Sequence, residues 1–165
     1  MPIRLRILVV IAATVVLLAR DASAEPPTAD YLPGKAPGEA ITLEKADAAK
    51  AEVVVLTQAL AIRETGPKQT VKRFGEVYAF SPATIIVHRD EPTRLRFWNL
   101  QADDEHDFML VDPEWNVAMK VTLPPLREIS YVLTFHSEGL FPFYCTVHQP
   151  AMSGQILVVA PANTK

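Results

Sequence analysis

Residues 143–154 read FYCTVHQPAMSG and place a thiol, an imidazole and a thioether within eight positions, on Cys145, His148 and Met152. All three are soft or borderline donors, the types that select late transition metals over hard ions such as magnesium or calcium. Cys145 is the one cysteine of the chain. It therefore has no intramolecular disulfide partner and is left as a small buried hydrophobe, an intermolecular cross-link, a nucleophile or a metal ligand. A nearby imidazole lowers a thiol's pKa and could make a Cys–His nucleophilic pair. No oxyanion-hole motif accompanies it, however, and Met152 would have no part in that chemistry.

These donors need elements to position them. Alternation in GLFPFYC puts Phe141, Phe143 and Cys145 on one face of a strand, so the thiol should point into an apolar interior at the strand's end. TVHQPAM must then turn sharply, helped by Pro150, before GQILVV begins the next strand. So short a loop keeps the side chains three and seven positions after the thiol close to it. With a second imidazole, this would be the donor set of a blue-copper centre: three strong bonds from two histidines and a cysteine, and a long, weak axial methionine. The remaining histidines are His88, His106 and His136. His88 ends a predicted strand beside Arg89 and Asp90, and His136 sits in the turn FHSEG, so both read as solvated. His106, in NLQADDEHDFML between two predicted strands, is the expected second ligand.

The elements form a series. EVYAF, ATIIVHR, TRLRFWNL, DFMLV, VAMKVTL, EISYVLTF, LFPFYC and GQILVVA are short β-branched or aromatic runs, separated by Pro-, Gly- and Asp-bearing turns. That rhythm predicts an antiparallel sandwich or barrel. In TRLRFWNL, Leu95, Phe97 and Asn99 should share the inner face, with Arg94, Arg96 and Trp98 outside.

Upstream, Arg4 and Arg6, an apolar run of about 13 residues and the triplet Ala22-Ser23-Ala24 have the layout of a secretory signal with cleavage after Ala24. The run falls short of the roughly 20 residues that span a bilayer, so no stable membrane insertion is expected after cleavage. Loss of Arg4, Arg6, Arg20 and Asp21 would leave 13 basic and 18 acidic side chains, a formal charge of −5, which excludes nucleic acid as a partner. Residues 25–50, dense in Pro, Gly and Ala at their start, read as a flexible leader, and 51–162 as a single domain. The segment LEKADAAKAEVVVLTQALAIRETGP reads as a short helical or irregular piece leading into a strand near 52–62.

The pattern YAFSPATIIVHRDEPTRLRFWNL, an isolated histidine, and then GLFPFYCTVHQPAM resembles the cupredoxins over about residues 70–160. The resemblance implies an all-β Greek-key sandwich carrying an N-terminal extension, with one copper ion at one end held by His106, Cys145, His148 and Met152. The stretches HDFML and MSG look closer to the cupredoxin domains of respiratory oxidases and nitrous oxide reductase. Their binuclear centre needs two loop cysteines, which this chain lacks. One departure stands out: many single-copper members carry Asn after the first histidine, where this chain has Asp107, preceded by Asp103, Asp104 and Glu105. A carboxylate from this group could enter the coordination sphere, or the group could be a solvated loop.

The expected function is that of a periplasmic one-electron carrier without enzymatic activity, docking through the surface around His148 to redox partners such as a cytochrome or a copper/haem oxidoreductase. The acidic loop would steer a basic partner. The rivals are a copper-handling protein without a redox cycle and a metal-free interaction module on the same fold.

Overall fold

The computed structural model describes residues 30–36 and 38–161; the expected signal segment lies outside them. Ten strands follow in chain order: β1 (Ile41–Glu44), β2 (Ala51–Ala61), β3 (Val77–Ser81), β4 (Thr84–His88), β5 (Thr93–Asn99), β6 (His106–Val111), β7 (Val117–Leu123), β8 (Glu128–Phe135), β9 (Gly139–Tyr144) and β10 (Ser153–Val159). A 3₁₀ turn at Ala46–Ala48 and a helix, α1 (Lys68–Phe74), complete the described elements. One sheet has the order β1-β8-β5-β2-β3 and the other β4-β10-β9-β6-β7. The predicted strands from EVYAF onward and the strand after an irregular piece near residue 52 are all present.

The two inner faces meet in a core that includes Leu95, Phe97, Phe108, Leu110, Phe141 and Phe143, each at most 1% exposed. β5 alternates as its sequence predicts, with Leu95, Phe97 and Asn99 buried and Trp98 outside. Strand β6 is buried along its whole length, on both faces.

Three features differ from the sequence reading. First, the sheets are mixed: β2 runs parallel to β5, and β10 parallel to β4. Turn signals report local hairpins, whereas a parallel pair joins strands separated by a long connection that no turn residue marks. Second, part of the expected flexible leader is ordered onto the sandwich. β1 pairs antiparallel with β8 from Ile41↔Phe135 to Glu44↔Val132, and Ile41 is 2% exposed. Farther upstream, Tyr31 and Lys120 exchange two backbone hydrogen bonds of 2.7 Å, and the Asp30 carboxylate accepts from both the N–H and the hydroxyl of Thr122. Third, α1 was not anticipated, although Pro67 just before it and Gly75 just after it are the usual helix boundary residues. Gly75, at φ 77°, donates its N–H to the Val71 carbonyl at 2.9 Å and closes the helix.

Candidate metal centre

β9 delivers Cys145 to the end of the sandwich, and the chain turns back into β10 within the segment 145–152. Two backbone hydrogen bonds shape that turn: Cys145 N–H to the Met152 carbonyl at 2.9 Å, and Met152 N–H to the His148 carbonyl at 3.1 Å. The first continues the β9–β10 ladder, in which Tyr144 faces Ser153. The spacing of three and seven residues thus folds into proximity because the ladder clamps both ends of the loop. Gly154, opposite Phe143, is required at the base of the clamp. A Cβ there would fall against the Ala83 carbonyl and the Phe143 ring.

His106 arrives from the neighbouring strand as the first residue of β6, paired with Leu123 of β7. Its Nδ1 lies 3.0 Å from His148 Nδ1, and His148 Nδ1 lies 3.5 Å from Cys145 Sγ. The three donor atoms all lie within 4.8 Å of one another. His106 and Cys145 are at most 1% exposed, while His148 is half-buried and brings its edge toward the surface. Met152, 0% exposed, belongs to the same apolar cluster as Cys145 and Phe143.

Burial dominates the electrostatics. It pushes the Cys145 thiol's pKa up, against the backbone N–H groups of Asp107 and Val147, which favour the thiolate. His106 is pushed down to about 4, first by burial and then by His148, with Asp104 and Asp107 opposing. It is therefore neutral at pH 7, as a ligand imidazole must be.

The acidic stretch divides: Asp103 and Glu105 are exposed, Asp104 is half-buried, and Asp107 turns inward, where its carboxylate also bears on the Cys145 thiol. Asp107, 8% exposed, accepts from the Thr146 N–H at 2.6 Å and from the Thr146 hydroxyl, and lies 3.5 Å from the Lys120 ammonium. It ties β6 to the residue after the cysteine. Asp104 accepts from the Tyr78 hydroxyl, and its carbonyl accepts from Asn99 Nδ2 at 2.8 Å. The Tyr78 ring packs on both imidazoles, with centroids 4.8 Å from His106 and 4.6 Å from His148. In the sequence, Asp104 reads only as a candidate ligand or as part of a solvated loop, and Tyr78 and Asn99 have no place in the site. Their link to it is a packing contact between strands, with no local spacing to announce it. His88 and His136 sit at the other end of the sandwich, His88 bonded to the Ala160 carbonyl at 2.7 Å and His136 to Asp90 at 2.9 Å.

The donors fit a metal ion. Two imidazoles and a thiol turn their donor atoms on one another beside an apolar core. Bonds of about 2.0–2.3 Å to a tetrahedral or trigonal ion put neighbouring donors about 3.3–3.8 Å apart; the contacts of 3.0 and 3.5 Å to His148 Nδ1 lie close to that range, and all three donors fall within 4.8 Å of one another. Among the described residues, this is the group of His, Cys, Asp or Glu side chains gathered closely enough to hold an ion. A soft, nitrogen–sulfur set of this kind selects a copper- or zinc-like ion over a hard cation.

No protein-family model and no curated protein matches the chain. Solved structures do. Dithionite-reduced auracyanin from the photosynthetic bacterium Roseiflexus castenholzii is similar at a TM-score of 0.50 and 13% identity, over 67% of this chain and 98% of that one. A multicopper oxidase is similar at a TM-score of 0.52 and 15% identity over 67% of this chain, which spans 45% of that protein. Amicyanin from Paracoccus versutus aligns at a TM-score of 0.48 and 16% identity, over 73% of this chain and 99% of that one. At these identities the likenesses at TM-scores of 0.50 and 0.52 show the fold alone, a cupredoxin β-sandwich.

Proposed function

Proceeding from that fold, we propose that the chain is an exported, periplasmic protein that binds one copper ion through His106, Cys145 and His148, with Met152 as a weak axial ligand, and carries single electrons between protein partners. The convergence of two imidazole Nδ1 atoms and one thiol at the buried end of a rigid sandwich carries this reading. Copper held by such donors would supply one-electron chemistry, because a site that suits neither oxidation state alone rearranges little when an electron arrives. Burial of Cys145, His106 and Met152 shields the ion from small solutes, and half-buried His148 offers a path to the surface. That asymmetry favours electron passage over catalysis on a bound substrate. Among the described residues no helix is long and apolar enough to cross a membrane.

Docking would use the groove of roughly 420 Å³ beside His148, lined by Thr70 and Phe74 of α1 and by Val147 and Pro150 of the loop. Phe74 and Val147 are 68% and 69% exposed, which suits a transient apolar contact. α1 carries Lys68, Lys72 and Arg73, while Glu76 lines the groove and Asp103 and Glu105 are exposed in the loop before His106. This distribution suits a redox partner, a cytochrome or copper/haem oxidoreductase, that docks through an apolar centre with charges of both signs around it.

The test is the visible absorption and electron paramagnetic resonance (EPR) spectrum of residues 25–165 loaded with one equivalent of Cu(II), beside Cys145→Ser. An intense thiolate-to-copper band, lost in the variant and bleached reversibly by one electron, is expected. A pale spectrum indifferent to Cys145→Ser, or metal handed over readily to an acceptor without reversible reduction, would overturn the proposal in favour of copper handling.

A further inference from the structure

The two imidazoles of the site come from separate parts of the chain, His106 from the start of β6 and His148 from the loop after β9. The backbone hydrogen bonds that shape that loop do not reach the His148 ring, whose polar contacts are the other two donors, His106 Nδ1 at 3.0 Å and Cys145 Sγ at 3.5 Å. Tyr78, from β3 in the opposite sheet, packs against both rings. The imidazole centroids are themselves 4.8 Å apart, so phenol and imidazoles form a closed triangle of edge and tilted contacts. Tyr78 is 1% exposed and its hydroxyl is consumed by the Asp104 carboxylate. Burial and Asp104 together hold its pKa well above the ordinary tyrosine value, so it stays a neutral phenol.

Asp104 is a fixed point. Its backbone carbonyl accepts from Asn99 Nδ2, whose second N–H goes to the Leu123 carbonyl at 2.8 Å. Asn99 Oδ1 accepts from the Thr57 hydroxyl at 2.8 Å and from the Gln101 N–H at 3.0 Å, so every polar atom of this buried amide is satisfied. A charge-assisted bond to a carboxylate so anchored is the stronger kind, and it fixes where the phenol ring lies.

We propose that Tyr78 and Asp104 are positioning residues: the bond between them locks the Tyr78 ring, and the ring sets the orientation of the His106 and His148 imidazoles before any metal arrives. The proposal builds on the metal-site reading and assigns part of the acidic stretch a role as a brace, in place of a ligand or a solvated loop.

The experiment compares Tyr78→Phe, Asp104→Ala, Asp104→Asn and the Tyr78→Phe/Asp104→Ala double variant with the unsubstituted protein. Tyr78→Phe keeps the ring and loses the bond; Asp104→Asn keeps an acceptor for the hydroxyl. In the metal-free protein, imidazole ¹H–¹⁵N correlations should show His106 and His148 exchange-broadened in Tyr78→Phe and Asp104→Ala, and sharp in Asp104→Asn. Loaded with Cu(II), the first two should give heterogeneous EPR signals and affinity lower by about 10-fold, the scale of an outer-shell partner. The double variant should lose no more than either single one, since both break one bond.

Sharp imidazole signals and a single unchanged EPR species in Tyr78→Phe, accompanied by nothing beyond a lower unfolding midpoint, would overturn the proposal. Independent, additive losses in the double variant would do so too. Failure of the metal reading would appear separately, as the absence of a Cys145-dependent band in the unsubstituted protein, and the metal-free spectra would still decide the brace.

Discussion

His106 shows at the scale of one residue how burial prepares a ligand. Its imidazole is 1% exposed and its pKa is pushed down to about 4. Between the ordinary value near 6.5 and 4, the unfolded chain takes up a proton that the folded chain refuses, so the metal-free protein should lose stability as pH falls through that window. His106→Gln carries no such proton. Chemical denaturation of the metal-free forms at pH 7 and pH 4.5 should show a larger loss in the unsubstituted protein than in this variant; equal losses would refute the assignment. Asp107 offers a second prediction. Asp107→Ala leaves the Thr146 N–H and hydroxyl without their acceptor and removes an ion-pair partner from Lys120. A cost of about 1–3 kcal/mol is expected in a urea titration, whereas a freely solvated carboxylate would cost almost nothing.

Strand β1 shows at the scale of an element how little sequence is needed to close an edge. Four residues pair with β8, and Ile41 enters the core at 2% exposure. Ile41→Ala should therefore cost about 2–4 kcal/mol, the range for deleting a buried aliphatic side chain, in guanidinium unfolding followed by tryptophan fluorescence. A flexible leader would show less than about 0.5 kcal/mol. The β9–β10 ladder makes the complementary point. It clamps the loop at Cys145 and Met152, so ligand spacing in the chain becomes ligand spacing in space.

At the scale of the whole molecule, the site joins two strands and a loop in one sheet to a tyrosine from the other. An ion bound there would bind the folded chain and lose its joined ligands on unfolding. Metal should therefore raise the unfolding midpoint. Free copper at about 100 times its dissociation constant would add about 2.7 kcal/mol. Removal by a chelator should reverse the gain, and Cys145→Ser should show most of it missing; calorimetry of loaded and stripped protein reads both. An equal gain in the variant would move the ion to another place in the fold.

Much of this molecule is legible in its residues alone. The strands from β2 onward follow from short β-branched and aromatic runs bounded by turn residues, with period-two alternation marking the inner faces of β5 and β9, all local signals, and the Cys145–His148–Met152 loop follows from a spacing so short that any tight turn gathers it. His106, placed by the sequence between two predicted strands, lies beside Cys145 and His148. Only the tertiary structure decided that β2 lies beside β5 and β4 beside β10, that β1 closes the edge of a sheet, and that Asp104 and Asp107 face inward. The same holds for Tyr78, which contacts His106 and His148 from 28 and 70 positions away. Each of these rests on contacts between residues far apart in the chain, where burial and hydrogen-bond satisfaction across the folded sandwich, and not the preference of any short stretch, select the partner.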